Sequence, residues 1–134
     1  MSCSYNENSL CDYFEFIESF QIFENGKDKL ILKTNEEFKQ IEEQLRILFT
    51  NSRLMPAFGV SLHNETLNEI KSNCWLQVNF NKEIVKNGLP FNALLFRLEE
   101  TQGFNLIRLY DGKYEGRCLF LDLDKEMDLK NVIY

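Results

Sequence analysis

Between residues 93 and 123 the chain sets apolar runs between short polar breaks: ALLFRLEETQGFNLIRLYDGKYEGRCLFLDL. The breaks are of turn-forming type. Asp111-Gly112 supplies two residues that tolerate positive φ, as a two-residue type I′ turn demands. Thr101-Gln102-Gly103 fits a longer hairpin loop with glycine at the left-handed position. The pattern therefore predicts three antiparallel strands, at 93–99, 104–110 and 114–122. The tight turn sets a register in which Tyr110 faces Lys113, Leu109 faces Tyr114 and Arg108 faces Glu115. The last of these pairs joins opposite charges, which favours the register. Gly116 marks a bulge or a close backbone approach inside the third strand. With no bulge, Arg117 shares a sheet face with Arg108 and Tyr110. A one-residue bulge exchanges the faces of everything beyond it.

Upstream the periodicity changes. Leu10, Phe14 and Ile17 recur at helical spacing and predict a helix over 8–19, although the aromatic density of DYFEFIESF also suits a strand. Asn25-Gly26 between two apolar runs predicts a hairpin. Thr34 and Glu37 have capping-box spacing, with Asn35 as a rival cap, ahead of a stripe of Phe38, Ile41, Leu45 and Leu48. That helix ends near Asn51-Ser52, and Pro56 prevents it from continuing far. Strands follow at 57–62 and 74–80, separated by a short helix or wide turn at 63–71. Asn87-Gly88 and Pro90 mark 81–92 as a loop with at most one helical turn, and 124–134 could carry a short helix. There is no repeat, linker or low-complexity segment, so residues 1–134 read as a single domain. Helices come early and strands late, without a βαβ rhythm. The expected fold is α+β: a mainly antiparallel sheet with a C-terminal three-stranded meander, an N-terminal hairpin, and one or two helices packed on one face.

Composition narrows the class. Apolar residues make up 44% of the 134 positions and twelve are phenylalanine, enough for a true core rather than a disordered acidic tail. A net charge of −6 disfavours nucleic acid and anionic membrane as partners. No apolar run reaches the roughly 18 residues of a membrane span. MSCSYNENSL has neither the basic nor the apolar region of a signal peptide. Cys3, Cys11, Cys74 and Cys118 are irregularly spaced and form no C-x-x-C, so neither a metal site nor a cofactor is expected. Free thiols without a secretion signal point to the cytoplasm.

The candidate chemistry sits mostly in the meander, which holds three of the five arginines, Arg97, Arg108 and Arg117. A guanidinium grips carboxylates and phosphates with a fixed fork, so arginines paired on a rigid sheet could bind an anion. The competing account of Arg108 and Glu115 is an ordinary cross-strand surface pair. His63, the one histidine, has Glu65 two residues on, a carboxylate that could orient it for acid–base work. H-x-E also opens the zinc deaminase signature, but the required P-C-x-x-C is absent. Cys118 follows Arg117, yet strand alternation points the two to opposite faces, which suits a buried inert thiol. Asp122, Asp124, Glu126 and Asp128 match no EF-hand loop. The glycines form no phosphate loop.

Two functions remain. One is a non-catalytic interaction or regulatory module that docks a protein partner or a second copy of itself through an open sheet edge or an aromatic patch. The other is a small-molecule or anion site, binding or catalytic, built from Arg97, Arg108, Arg117, Tyr110, Glu115 and His63. Concavity separates them, because a small-molecule site requires these side chains to converge over one cavity.

Overall fold

A computed structural model describes residues 11–130. A 3-10 turn (Cys11–Phe16) leads into the hairpin β1 (Ile17–Glu24) and β2 (Lys27–Leu32), followed by α1 (Glu36–Thr50), β3 (Ser52–Ser61) and α2 (His63–Glu69). The strands β4 (Cys74–Lys86), β5 (Leu89–Arg97), β6 (Gly103–Leu109) and β7 (Gly116–Leu123) then run on as a meander. Among the described residues seven strands form one open antiparallel sheet in the order β2-β1-β4-β5-β6-β7-β3. This is the α+β architecture that the pattern predicts. Among the described residues no helix is long and apolar enough to cross a membrane.

Asn25-Gly26, Asn87-Gly88 and Asp111-Gly112 all have positive φ at both positions, the conformation of a type I′ turn. The second of these corrects the reading of 81–92 as a loop. Its first residues extend β4 beyond the end of β1, and its last begin β5. A register shift between Asn79 and Ile84 interrupts the alternation there, and Asn81, Lys82 and Glu83 are exposed, so the strand carries no period-two signature. The expected helix at 8–19 is also corrected. Residues 8–10 lie outside the described residues; beyond them only the short 3-10 turn is helical, and Ile17 already belongs to β1. A bulge between Ile17 and Ser19 lets Ile17 and Phe20, three residues apart, face the same core as Phe14, and this spacing imitates a helical stripe.

The α1 stripe is buried as expected, with Phe49 added to it. Its start differs from the capping box. Asn35 occupies the N-cap position, but its Oδ1 accepts the Leu32 N–H at 2.8 Å and closes the turn after β2. Glu37 meets Lys29 of β2 instead of reaching back to the cap. Because β2 and β3 are opposite edges of the sheet, the chain must cross it between them. Fifteen helical residues cover about 22 Å of a seven-strand span of about 29 Å. Helix α1 thereby lies across the strands and closes the larger core, in which Phe20, Leu76, Leu94, Phe96, Phe104 and Leu119 are fully buried. Helix α2 lies over the opposite face, where Ile70, Trp75, Leu95, Ile107, Tyr114 and Cys118 form a second, smaller cluster.

Strand β6 is the seam of the sheet. Ile107–Leu109 pair with Ala93–Leu95 of β5, whereas Gly103–Leu106 pair with Leu119–Asp122 of β7. Between the Tyr110↔Lys113 bridge and the Leu106↔Leu119 pair, the chain entering β7 carries two more residues than β6 does. The register that opposes Arg108 to Glu115 therefore does not form. An excess of two residues preserves the side-chain alternation, so Leu119 and Leu121 still join Phe104 and Leu106 in the larger core. Gly116, at φ 111, makes the excursion possible.

Candidate binding cavity on the second face

The excursion folds over the second face of the sheet. Tyr114 is buried there, and its hydroxyl donates to Oε1 of Gln77 on β4, two strands away from β6. Gln77 Nε2 donates to Asn79 Oδ1 at 2.8 Å, and Asn79 Nδ2 donates to Ser19 Oγ at 3.1 Å. Gln77 Oε1, Asn79 Oδ1 and Ser19 Oγ each accept a hydrogen bond in this chain, which helps Gln77 and Ser19 to be buried. Burial raises the Tyr114 phenol above its ordinary value, with the Gln77 hydrogen bond opposing.

His63 belongs to this clamp. Its Nδ1 accepts the Tyr114 backbone N–H at 3.1 Å, and its ring stacks on the Tyr114 ring with centroids 5.9 Å apart. An accepting Nδ1 requires the Nε2–H tautomer. Ser61 Oγ lies within donating distance of the carbonyls of Tyr114 (3.2 Å) and Gly116 (3.3 Å). The junction of β3 and α2 thus ties down the loop that enters β7.

Arg108 is buried, and no carboxylate of the described residues pairs with it. Its Nε donates to the Arg117 carbonyl and its Nη1 to the Pro90 carbonyl, each at 2.6 Å. Pro90 lies on β5 before its pairing with β6 begins, and Arg117 on β7 before its pairing with β6 begins. The guanidinium bridges the gap that the two ladders leave. Burial lowers its pKa from the ordinary arginine value. A Cβ on Gly116 would stand 2.9 Å from Arg108 Nη2, so glycine also makes room for the bridge.

The sequence-derived site residues therefore scatter. Arg108 is buried among carbonyls, whereas Arg117 and Glu115 are exposed. Tyr110 is exposed beside the Asp111-Gly112 turn, and its phenol is raised chiefly by a hydrogen bond with Glu83. His63 holds Tyr114. Arg97 alone reaches a cavity, of about 330 Å³, between α2 and the sheet. Trp75, Ile107, Cys118 and Phe120 supply its apolar wall. The wall is fixed: Trp75 Nε1 donates to the Ser72 carbonyl at 2.7 Å, and the Phe120 ring packs on Gly103, where a Cβ would clash with it.

No family model, curated protein or solved structure matches this chain.

The polar lining comes from residues that pattern reasoning did not single out for this place. Glu65 and Glu69 stand on α2 at the i, i+4 spacing that puts them on one helix face, and Glu100 follows β5. Arg97 is the one cation among the described residues of the lining, and its Nε is 3.4 Å from Glu99 Oε1. Val60 and Leu62 line the same cavity while 63% and 50% exposed, so its mouth is apolar. The signals available in the sequence were the Glu65/Glu69 spacing and the single tryptophan. Neither declares a cavity without the sheet order.

Among the described residues no histidine or lysine lines the cavity. Burial pushes the Cys118 thiol up and outweighs the hydrogen bonding from Ser61 and the charge of Arg108, which oppose it, so the thiol stays protonated at neutral pH. No group of three metal-ligating side chains occurs among the described residues.

Proposed function

We propose that this domain is a non-catalytic binding module that captures a partner protein by one inserted side chain. The observation that carries the reading is the cavity between α2 and β6, with its fixed Trp75 wall and its exposed Val60 and Leu62 mouth. A rigid pocket rimmed by exposed apolar residues has the form of an interface anchor point. Its volume lies at the low end of ligand sites, enough for a large side chain. The groups facing it do not compose a nucleophile with a base: the thiol is held protonated, and the single histidine is occupied with Tyr114. Cys74 and Cys118, both free and buried, suit a reducing compartment, and the reading places the binding in the cytoplasm.

Selection of random short peptides displayed against the domain tests this. Enriched peptides should bind the wild type and lose about tenfold or more in affinity to Leu62→Ser, because the apolar contact at the mouth is removed. The variant should unfold like wild type, since Leu62 is half exposed. Selection that enriches nothing, or peptides indifferent to Leu62→Ser, would overturn the reading.

A further inference from the structure

The cavity's charge is lopsided. Glu65, Glu69 and Glu100 face it and form no ion pair among the described residues. The one cation among the described lining residues, Arg97, is already answered by Glu99. An independent feature lies in the wall. Thr66, on α2 between the two glutamates, is only 2% exposed and lines the cavity, and its hydroxyl has no hydrogen-bond partner among the described residues. The rest of Thr66 is packed away, and the hydroxyl oxygen opens onto the cavity, where it can accept a hydrogen bond from a visitor.

We infer that the inserted side chain is an arginine of the partner, its stem lying against Trp75, Ile107 and Phe120 and its guanidinium held between Glu65, Glu69 and the Thr66 hydroxyl. The inference rests on the binding-module reading and gives that site its chemistry. A long cationic side chain matches both halves of the cavity, because its methylenes suit the apolar wall and its head suits the carboxylates. Arginine suits it better than lysine. Glu65 and Glu69 are separated along one helix face, and a planar fork can engage two carboxylates where an ammonium offers a point charge. An anionic side chain would meet three like charges, and a neutral apolar one would leave Thr66 unsatisfied.

The probes are N-acetyl-argininamide and its neutral isostere N-acetyl-citrullinamide. The readout is the indole N–H resonance of Trp75, the single tryptophan of the chain, followed by heteronuclear NMR. The arginine probe should shift that resonance saturably and bind about tenfold tighter than citrulline at low salt. The preference should shrink as salt approaches about 0.5 M. Glu65→Gln/Glu69→Gln should abolish the preference without changing the circular dichroism, since both side chains are exposed and glutamine is an equal helix former. Equal binding of citrulline, a preference that survives the double variant, or an arginine probe that leaves Trp75 unmoved would overturn the inference. If peptides selected against the domain still depend on Leu62, the module reading survives that failure. If the arginine probe binds while selection enriches nothing, the cavity takes a free cation and the partner-protein reading fails.

Discussion

The two faces of the sheet are made by alternate residues of the same strands, yet they are closed in different ways. One face is covered by α1, fifteen residues laid across the strands, with the Phe14 turn beside it. Its lining is almost wholly Leu, Ile and Phe, and the side chains are fully buried. The other face is covered by the seven-residue α2 and by the loop that carries Tyr114. It mixes Trp75, Leu95 and Ile107 with Gln77, Asn79 and Ser19, and it holds the cavity. The difference teaches where specificity is kept apart from stability. An apolar face closed by a long amphipathic helix can carry the folding free energy, which frees the opposite face to hold satisfied polar groups and an open pocket.

Neighbouring residues of β6 give the sharpest test of that division. Leu106 points into the larger core at 0% exposure, and Ile107 borders the cavity at 9%. Leu106→Ala should cost about 4 kcal/mol, because close packing leaves a new void. Ile107→Ala should cost about 2 kcal/mol, because it widens a space that already exists and forfeits mainly the transfer free energy of the removed methyls. Urea unfolding measures both through the shift in midpoint at unchanged slope. Equal losses would mean that the two faces share the load and that the comparison is wrong.

A middle-sized effect is expected where the two faces meet at the seam. Arg108→Met keeps an unbranched stem as far as the position of Nε but withdraws donors from the Pro90 and Arg117 carbonyls, a loss of about 2–3 kcal/mol. Gly116→Ala should cost a similar amount, about 2–3 kcal/mol, from left-handed strain and from crowding Arg108 Nη2. Part of the second cost disappears once the guanidinium is gone, so the double variant should be less destabilised than the two single losses combined by roughly 1 kcal/mol. Strict additivity would show that the glycine serves the turn alone.

Much of this architecture was legible. The Asn-Gly and Asp-Gly pairs, the stripe from Phe38 to Leu48 and the runs of the meander each obey a local rule, so α+β and antiparallel pairing follow from pattern. What was hidden depends on irregularities. The bulge near Ser19 and the break after Asn79 disturb alternation, turning a strand into an apparent helix in one place and an apparent loop in the other. The two-residue excursion before Gly116 undid the Arg108–Glu115 pairing, because an ideal hairpin register assumes one residue opposite one. The cavity was the least visible. Glu65 and Glu69 are near Trp75 in sequence, but Ile107, Cys118 and Phe120 join them only because β3 and β7 pair at the far edge of the sheet, and nothing local encodes that order. Arg97 alone of the shortlisted arginines reaches the cavity; Glu99 and Glu100 follow it closely in sequence, but Glu65 and Glu69 come to it from α2, which no local pattern foretells.

The smallest expected effect concerns the polar half of the second face. Tyr114→Phe removes the donor that satisfies Gln77 Oε1, so it should cost about 1–2 kcal/mol at neutral pH, less than either apolar truncation in β6. Its pH signature distinguishes it from a packing loss. Burial raises the Tyr114 pKa in the folded state, so folding keeps the phenol protonated where the unfolded chain has begun to ionise. Stability from this group is intact below the unfolded value, about pH 10, and declines as pH rises from there through the higher folded value. The raised Cys118 thiol acts in the same sense from a lower starting point, about pH 8.5. Wild type should therefore lose stability on going from pH 8 to pH 11, and Tyr114→Phe should lose less over the upper part of that range, which leaves the thiol's share in both. Urea midpoints at a series of pH values decide the matter. Parallel profiles for the two proteins would mean that the phenol is solvated, and that the second face is no more tightly closed over Tyr114 than over its cavity.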